Sequence, residues 1–306
     1  MHIHSICLVK NESDVIVQSL TAAAEWSDFI YVYDNGSTDG TWDKVLDLSC
    51  RLRQVVPFRS EERPFERALR GEVFRHYRRQ SSSGDWWCKL DADEFYIDSP
   101  RDFLPNVPAP YDAVWSACFQ YYLTEKDVTR FRENPALYGD HVPVGEKCRY
   151  YLNNWSEVVF FRYSDRLKWG AAKGFPSPLM SYPQRIRYKH YQYRSPQQIE
   201  KRLVTRRSAM QRGVAFAHEA GRNWAETIFG ERGDSQGIER TTGSNLGFSD
   251  SWTDRVVDSS KLKYDDGSTY VITEDLLPEV RDSRFPLLSR VKYRLHSALA
   301  AIAPDD

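Results

Sequence analysis

The chain has 306 residues, of which 41% are hydrophobic and 28% charged, with a formal net charge of −1. Such a balance excludes wholesale disorder and leaves no global field for nucleic acid, while the length suits one large domain or two smaller ones. Nine Trp and 18 Tyr supply core packing and, as a second use, surfaces on which sugars stack. Five cysteines are scattered without a CxxC pair, which suits reduced thiols and a cytoplasmic location. No apolar run approaches the ~18 residues of a membrane span, and "MHIHSICLVKNE" lacks a signal peptide's apolar region.

Residues 3–9, "IHSICLV", read as a buried strand, and "NESDVIVQSLTAAAEW" as a helix start followed by an apolar stripe at Val15, Leu20 and Ala23. "FIYVYDNGSTDGT" is a second strand ending in turn residues. A helix over about Thr41–Arg51, a short strand at "RQVVPF" and a basic helix over 64–80 follow. "DWWCKLDADEF" is the next strand. Strand and helix alternate, so the expected class is α/β, a mainly parallel central sheet with helices on both faces. Ligand sites in such sheets lie at the carboxyl ends of the strands. The polar clusters at 10–12, 34–39 and 91–94 all fall at such ends.

"YDAVWSACFQYYL" and "SEVVFFRY" read as later strands, and Ser195-Pro196 opens a helix. The division expected is a first domain over 1–195 and a helical, loop-rich region over 196–306. Residues 230–269 look like loops, and "FPLLSRVKYRLHSALAAIA" is a last helix with Leu288, Val291, Leu295, Leu299 and Ile302 on one stripe. Docking on the core is the first use of that stripe. Peripheral contact with the inner face of an anionic membrane is the second.

Asp34, Asn35, Gly36, Ser37 and Asp39 make a tight polar turn before a helix, which an Asx turn and a helix cap also explain. Asp91-Ala92-Asp93 at a strand end can hold a divalent cation and bring it to a diphosphate. Taken together, "KNESD", "YVYDNGSTDGTWD" and "DWWCKLDADEF" resemble the nucleotide-sugar glycosyltransferases of the GT-A fold, and more closely their family 2-like group. The resemblance covers residues 3–100 and resumes at "HYQYRSPQQIEKR", residues 190–202.

The resemblance implies a transferase that uses a divalent metal and a nucleotide-diphosphate sugar, with a UDP-sugar favoured. It implies a glycan or lipid-linked acceptor, as in polysaccharide synthesis, and inversion at the anomeric carbon. Asp34 corresponds to the acid on the base or ribose. Asp91 and Asp93 correspond to the metal-binding DxD pair, with Asp91 also near the ribose and Glu94 supporting the turn. Asn11 and Glu12 line the nucleotide pocket, and Arg67 or Arg70 approaches the base or diphosphate, unless both lie on a solvated helix face. His190 corresponds to a late histidine that completes the metal site. An imidazole ligand favours Mn²⁺ over Mg²⁺.

An inverting displacement needs a general base, and the "ED" pair of many relatives is missing here. Glu157 and Glu146 are the candidates, with Asp165 behind them, though each also reads as a surface carboxylate. Residues 185–212 hold nine Lys/Arg against one acid, Glu200, and form either a solvated face or contacts from Arg194 or Lys201 to an anion. Two rival readings stand beside the transferase: a metal-dependent phosphoryl-transfer enzyme or phosphatase built on the acidic cluster, and an inactive binding module with the transferase fold.

Overall fold

The computed structural model describes residues 1–64, 66, 68–123, 125–148, 150–155, 157–169, 175–176, 179–211, 223–225, 262–264, 270–272 and 291. The strands of its main sheet are β1 (Ile3–Val9), β2 (Phe29–Asp34), β3 (Val55–Ser60), β4 (Trp86–Leu90), β5 (Glu94–Tyr96), β6 (Ala113–Tyr122), β7 (Tyr150–Trp155), β8 (Val158–Arg162) and β9 (Ile186–His190), and a separate antiparallel pair is β10 (Leu262–Tyr264) and β11 (Tyr270–Ile272). The α-helices are α1 (Ile16–Ala24), α2 (Thr41–Ser49), α3 (Leu69–Tyr77), α4 (Pro100–Phe103), α5 (Glu125–Glu133), α6 (Val144–Lys147) and α7 (Pro196–Gln211). The last helix expected, over 285–303, lies outside the described residues except for Val291, and of the expected loop region 230–269 only 262–264 are described, where they form strand β10 rather than a loop.

Strands β1 to β9 form one sheet in the order β3-β2-β1-β4-β8-β6-β9-β5, with β7 paired to β6. Strands β1 to β4 are mutually parallel. Their apolar runs follow from burial on both faces: all seven residues of β1 are buried. Alternation divides them between two cores. Ile3, Cys7 and Val9 join Ile16, Leu20 and Val45 of the α1/α2 side. Ile6 and Leu8 join Leu69, Val73 and Phe74 of α3.

The second half of the sheet departs from the parallel expectation. Strand β8 runs antiparallel to both β4 and β6, and β5 antiparallel to β9, while β6 and β9 are parallel. Strand β4 ends at Leu90 and β5 begins at Glu94, so only Asp91-Ala92-Asp93 joins them. Four chain links reach at most about 14 Å. In pairing order β8, β6 and β9 lie between those strands, which in a flat sheet would set them about 19 Å apart. The sheet therefore curls, and the DAD turn closes the curl.

The helix expected over 64–80 is shorter, α3 followed by a 3₁₀ turn at Arg78–Gln80. Residues 61–64 and 66 are irregular, and Pro64 pushes the residue before it out of the helical region.

Candidate functional site

A cleft of about 920 Å³ opens at the carboxyl ends of β1, β2 and β4 and is walled on one side by α7. Three loops and one strand end build it.

The first loop follows β1. Asn11 adopts a left-handed backbone (φ 57°), which its short polar side chain tolerates. Its amide Nδ2 donates to Thr205 Oγ1 of α7 (3.1 Å), and its Oδ1 accepts from Thr38 N (2.8 Å). Asn11 thus fastens two strand ends to α7. Glu12 also lines the cleft, but its carboxylate accepts from Arg194. Burial lifts the Glu12 carboxyl to about 7, with Arg194 pulling the other way.

The second loop follows β2. Asp34 is fully buried, and its oxygens accept from Ser37 N, Ser37 Oγ and Ser60 Oγ. The Asx-turn explanation thus accounts for Asp34 itself; its neighbours Asn35, Gly36 and Thr38 are the ones that reach the cleft. Gly36 has φ 73°, and a Cβ there would stand 2.8 Å from Glu62 Cβ. Only glycine meets both conditions.

The third loop is the DAD turn. Asp91 N donates to Glu94 Oε2 (3.2 Å), and Glu94 N donates to Asp91 O (3.2 Å), so Glu94 braces the turn as its position suggested. Burial, then the neighbouring Asp91, pushes the Glu94 carboxyl up to about 8. Asp91 is a third exposed and paired with Arg70 of α3. Continuing the β4/β8 register three residues beyond Cys88↔Phe160 puts Glu157 opposite Asp91. There Lys89 Nζ donates to Glu157 Oε2. Carboxylate oxygens of Asp91, Glu94 and Glu157 all lie within 4.8 Å of one another.

Asp93 faces other partners. Pairing of Glu94 with His190 across β5 and β9 brings His190 Nε2 to 3.3 Å from Asp93 Oδ1. Arg194 Nη1 lies 3.5 Å from Asp93 Oδ2. Burial alone would raise the Asp93 carboxyl, yet the His190 and Arg194 charges hold it well below the usual carboxylate range. Burial likewise opposes charge on His190, and Asp93 holds that imidazole well above its ordinary value.

The residues singled out from the sequence are thus distributed unevenly. Asn11, Glu12, Arg70, Asp91, Asp93, Glu157 and His190 share the cleft. Glu146 is exposed on α6 and lines no part of it. Arg67 lies outside the described residues. Arg194 is neither on a solvated face nor open to an anion: it is fully buried. Sequence reasoning passed over Lys89 and Trp115, both in the cleft wall. A lysine inside the apolar run "WWCKL" was the available signal; Trp115 offered none among so many aromatics.

No protein-family model matches the sequence, and no curated protein matches it. Among solved structures it is similar to the mannosyltransferase PcManGT from Pyrobaculum calidifontis, in complex with GDP-Man and Mn²⁺, at 20% identity over 53% of this chain and 44% of that chain, TM-score 0.33. It is similar to S. aureus TarS 1-349 at 11% identity over 78% of this chain and 76% of that one, TM-score 0.34. Glucosyl-3-phosphoglycerate synthase from Mycobacterium tuberculosis aligns at 18% identity over 53% and 56%, TM-score 0.26. This chain spans less than half the length of the mannosyltransferase. Values this low decide neither substrate nor mechanism. Among the described residues, no helix is long and apolar enough to cross a membrane.

Proposed function

We propose that this chain is a metal-dependent glycosyltransferase of the GT-A type, in the family 2-like group. It would move a sugar from a nucleotide diphosphate, a UDP-sugar favoured, to a hydroxyl of a glycan or lipid-linked acceptor. The observation that supports this most is the cleft shared by Lys10-Asn11-Glu12, by Asn35, Gly36 and Thr38 of the second loop, by the DAD turn and by His190, segments up to 180 positions apart in the chain. A cytoplasmic location is part of the proposal, supported by five unpaired thiols.

The donor set suits a divalent cation. The DAD turn offers carboxylates, and the largely buried His190 imidazole, 3.3 Å from Asp93, would give up its proton to serve an ion there. Asp91, Asp93 and His190 would hold the ion, with Mn²⁺ preferred for its tolerance of nitrogen. When bound there, the cation would neutralise the departing diphosphate. Asn35, Gly36 and Thr38 bound the end of the cleft where the nucleoside would lie. Glu157 is the base candidate that lines the cleft, and Lys89 orients its carboxylate. In an inverting displacement it takes the acceptor hydroxyl proton. The acceptor oxygen bonds to the anomeric carbon, and the bond to the diphosphate oxygen breaks with its electron pair.

A thermal-shift screen of nucleotide sugars and nucleoside diphosphates with and without Mn²⁺ tests this. Stabilisation that needs Mn²⁺ and disappears in Asp91→Ala/Asp93→Ala is the expected result. Absence of nucleotide binding under every metal condition overturns it, and rapid hydrolysis of a simple phosphate ester would favour the phosphatase instead.

A further inference from the structure

Arg194 is among the largest fully buried side chains, and its surroundings are ionic rather than apolar. Nε donates to Asp14 Oδ2 and Nη2 to Asp14 Oδ1, each at 2.8 Å, a fork-to-fork pair. Nη2 also donates to Glu12 Oε2, and Nη1 to the Tyr191 carbonyl (2.9 Å). The same Nη1 stands 3.5 Å from Asp93 Oδ2. One guanidinium therefore spans the loop after β1, the DAD turn and the segment after β9. Gln198 Oε1 accepts from Arg194 N (3.1 Å) and extends the tie into α7.

A fully buried arginine cannot touch a substrate, and burying its charge is costly unless each neighbour compensates. Here the compensation is directional. His190 approaches Asp93 from the Oδ1 side and Arg194 from the Oδ2 side, so the carboxylate is held between two cations from one five-residue stretch. Asp14 takes up the outer fork and keeps the guanidinium from turning away. Lysine would keep the charge but not the planar geometry.

We infer that Arg194 is the positioning residue of the cation site: through its fork on Asp14 it fixes the orientation of Asp93, and so sets the affinity for a divalent ion. The inference deepens the proposed function and rests on it. Partners that orient metal ligands are typically worth about 10- to 100-fold in metal affinity.

The test measures Mn²⁺ binding by electron paramagnetic resonance, alone and with UDP or GDP, on the wild type, Arg194→Lys and Asp14→Asn. Circular dichroism checks the fold of each. A folded Arg194→Lys protein should bind Mn²⁺ about tenfold or more weakly and show a broadened bound-ion spectrum. Asp14→Asn, which touches neither ion nor nucleotide, should shift affinity in the same direction by less. Wild-type affinity and spectrum in folded Arg194→Lys overturn the inference while the transferase proposal stands. If that variant does not fold, wild-type affinity in Asp14→Asn overturns it. A wild-type protein that binds no Mn²⁺ in any combination overturns the metal-dependent transferase proposal and this inference with it.

Discussion

Asp91 and Asp93 are two residues apart on one turn, yet they live in opposite surroundings. Asp91 is a third exposed and meets Arg70, Glu94 and Glu157 at the open face of the cleft. Asp93 is almost wholly buried between His190 and Arg194. Charge is satisfied in both places, but by different physics. On the open side Arg70 is buried but the Asp91 carboxylate reaches water, which screens the pair in part and lowers its worth to stability. On the buried side, removing one partner strands a charge. Both acids of the DxD pattern border the cleft, but Asp91 meets it from the water side and Asp93 is also joined to the fold through His190 and Arg194.

The sharpest way to break that comparison is to remove both acids in turn. Asp91→Asn and Asp93→Asn should each lower Mn²⁺-dependent nucleotide binding about 100-fold or more, measured by calorimetry. Asp93→Asn should also lower the urea midpoint, and by more than Asp91→Asn, because it takes a buried carboxylate from His190 and Arg194 together, whereas Asp91 reaches water. Next in size, Arg194→Met should cost about 3–5 kcal/mol in urea unfolding. Arg70→Met should cost about 1 kcal/mol or less, since the carboxylate it releases reaches water. Equal losses would erase the distinction between the two sides.

Glu157 belongs to the open side, and Glu157→Gln decides its role there. A base loses kcat by about 100-fold or more with Mn²⁺ affinity intact; a ligand loses affinity. Gly36→Ala, in the loop that frames the same face, should cost roughly 1–3 kcal/mol from its strained φ and the contact with Glu62.

An effect of similar small size concerns a half-buried acid on neither side. Burial lifts the Asp112 carboxyl to about 7, against donation from Met180 N and the charge of Arg162. The folded state therefore holds a proton that the unfolded chain releases near pH 4. Its contribution to stability is complete below pH 4 and is lost as pH rises through 7. Asp112→Asn should raise stability at pH 8 by on the order of 1 kcal/mol and leave it unchanged at pH 4, measured by denaturant titration at both values.

Much of this was legible in the chain. Strands β1, β2 and β4 read as apolar runs because a doubly covered parallel sheet demands them, and their polar ends pointed to one crevice. Asn11, Glu12, Asp91, Asp93 and His190 do meet there. Three things were not legible. Strand β5 has three residues and no alternation, so only its pairing with β9 creates it. Glu157 comes within 4.8 Å of Asp91 through the antiparallel pairing of β4 and β8, which no local signal sets. Arg194 sits in a basic segment whose composition reads as solvated.

Composition and periodicity determined the α/β class, the order of the parallel strands' elements and the placement of acids at their ends, because these depend on neighbours along the chain. The curl of the sheet, the division between Asp91 and Asp93 and the burial of Arg194 were decided by tertiary structure alone. They depend on which distant segments come to share one dielectric environment, and a charge has its character settled by that environment rather than by its position in the sequence.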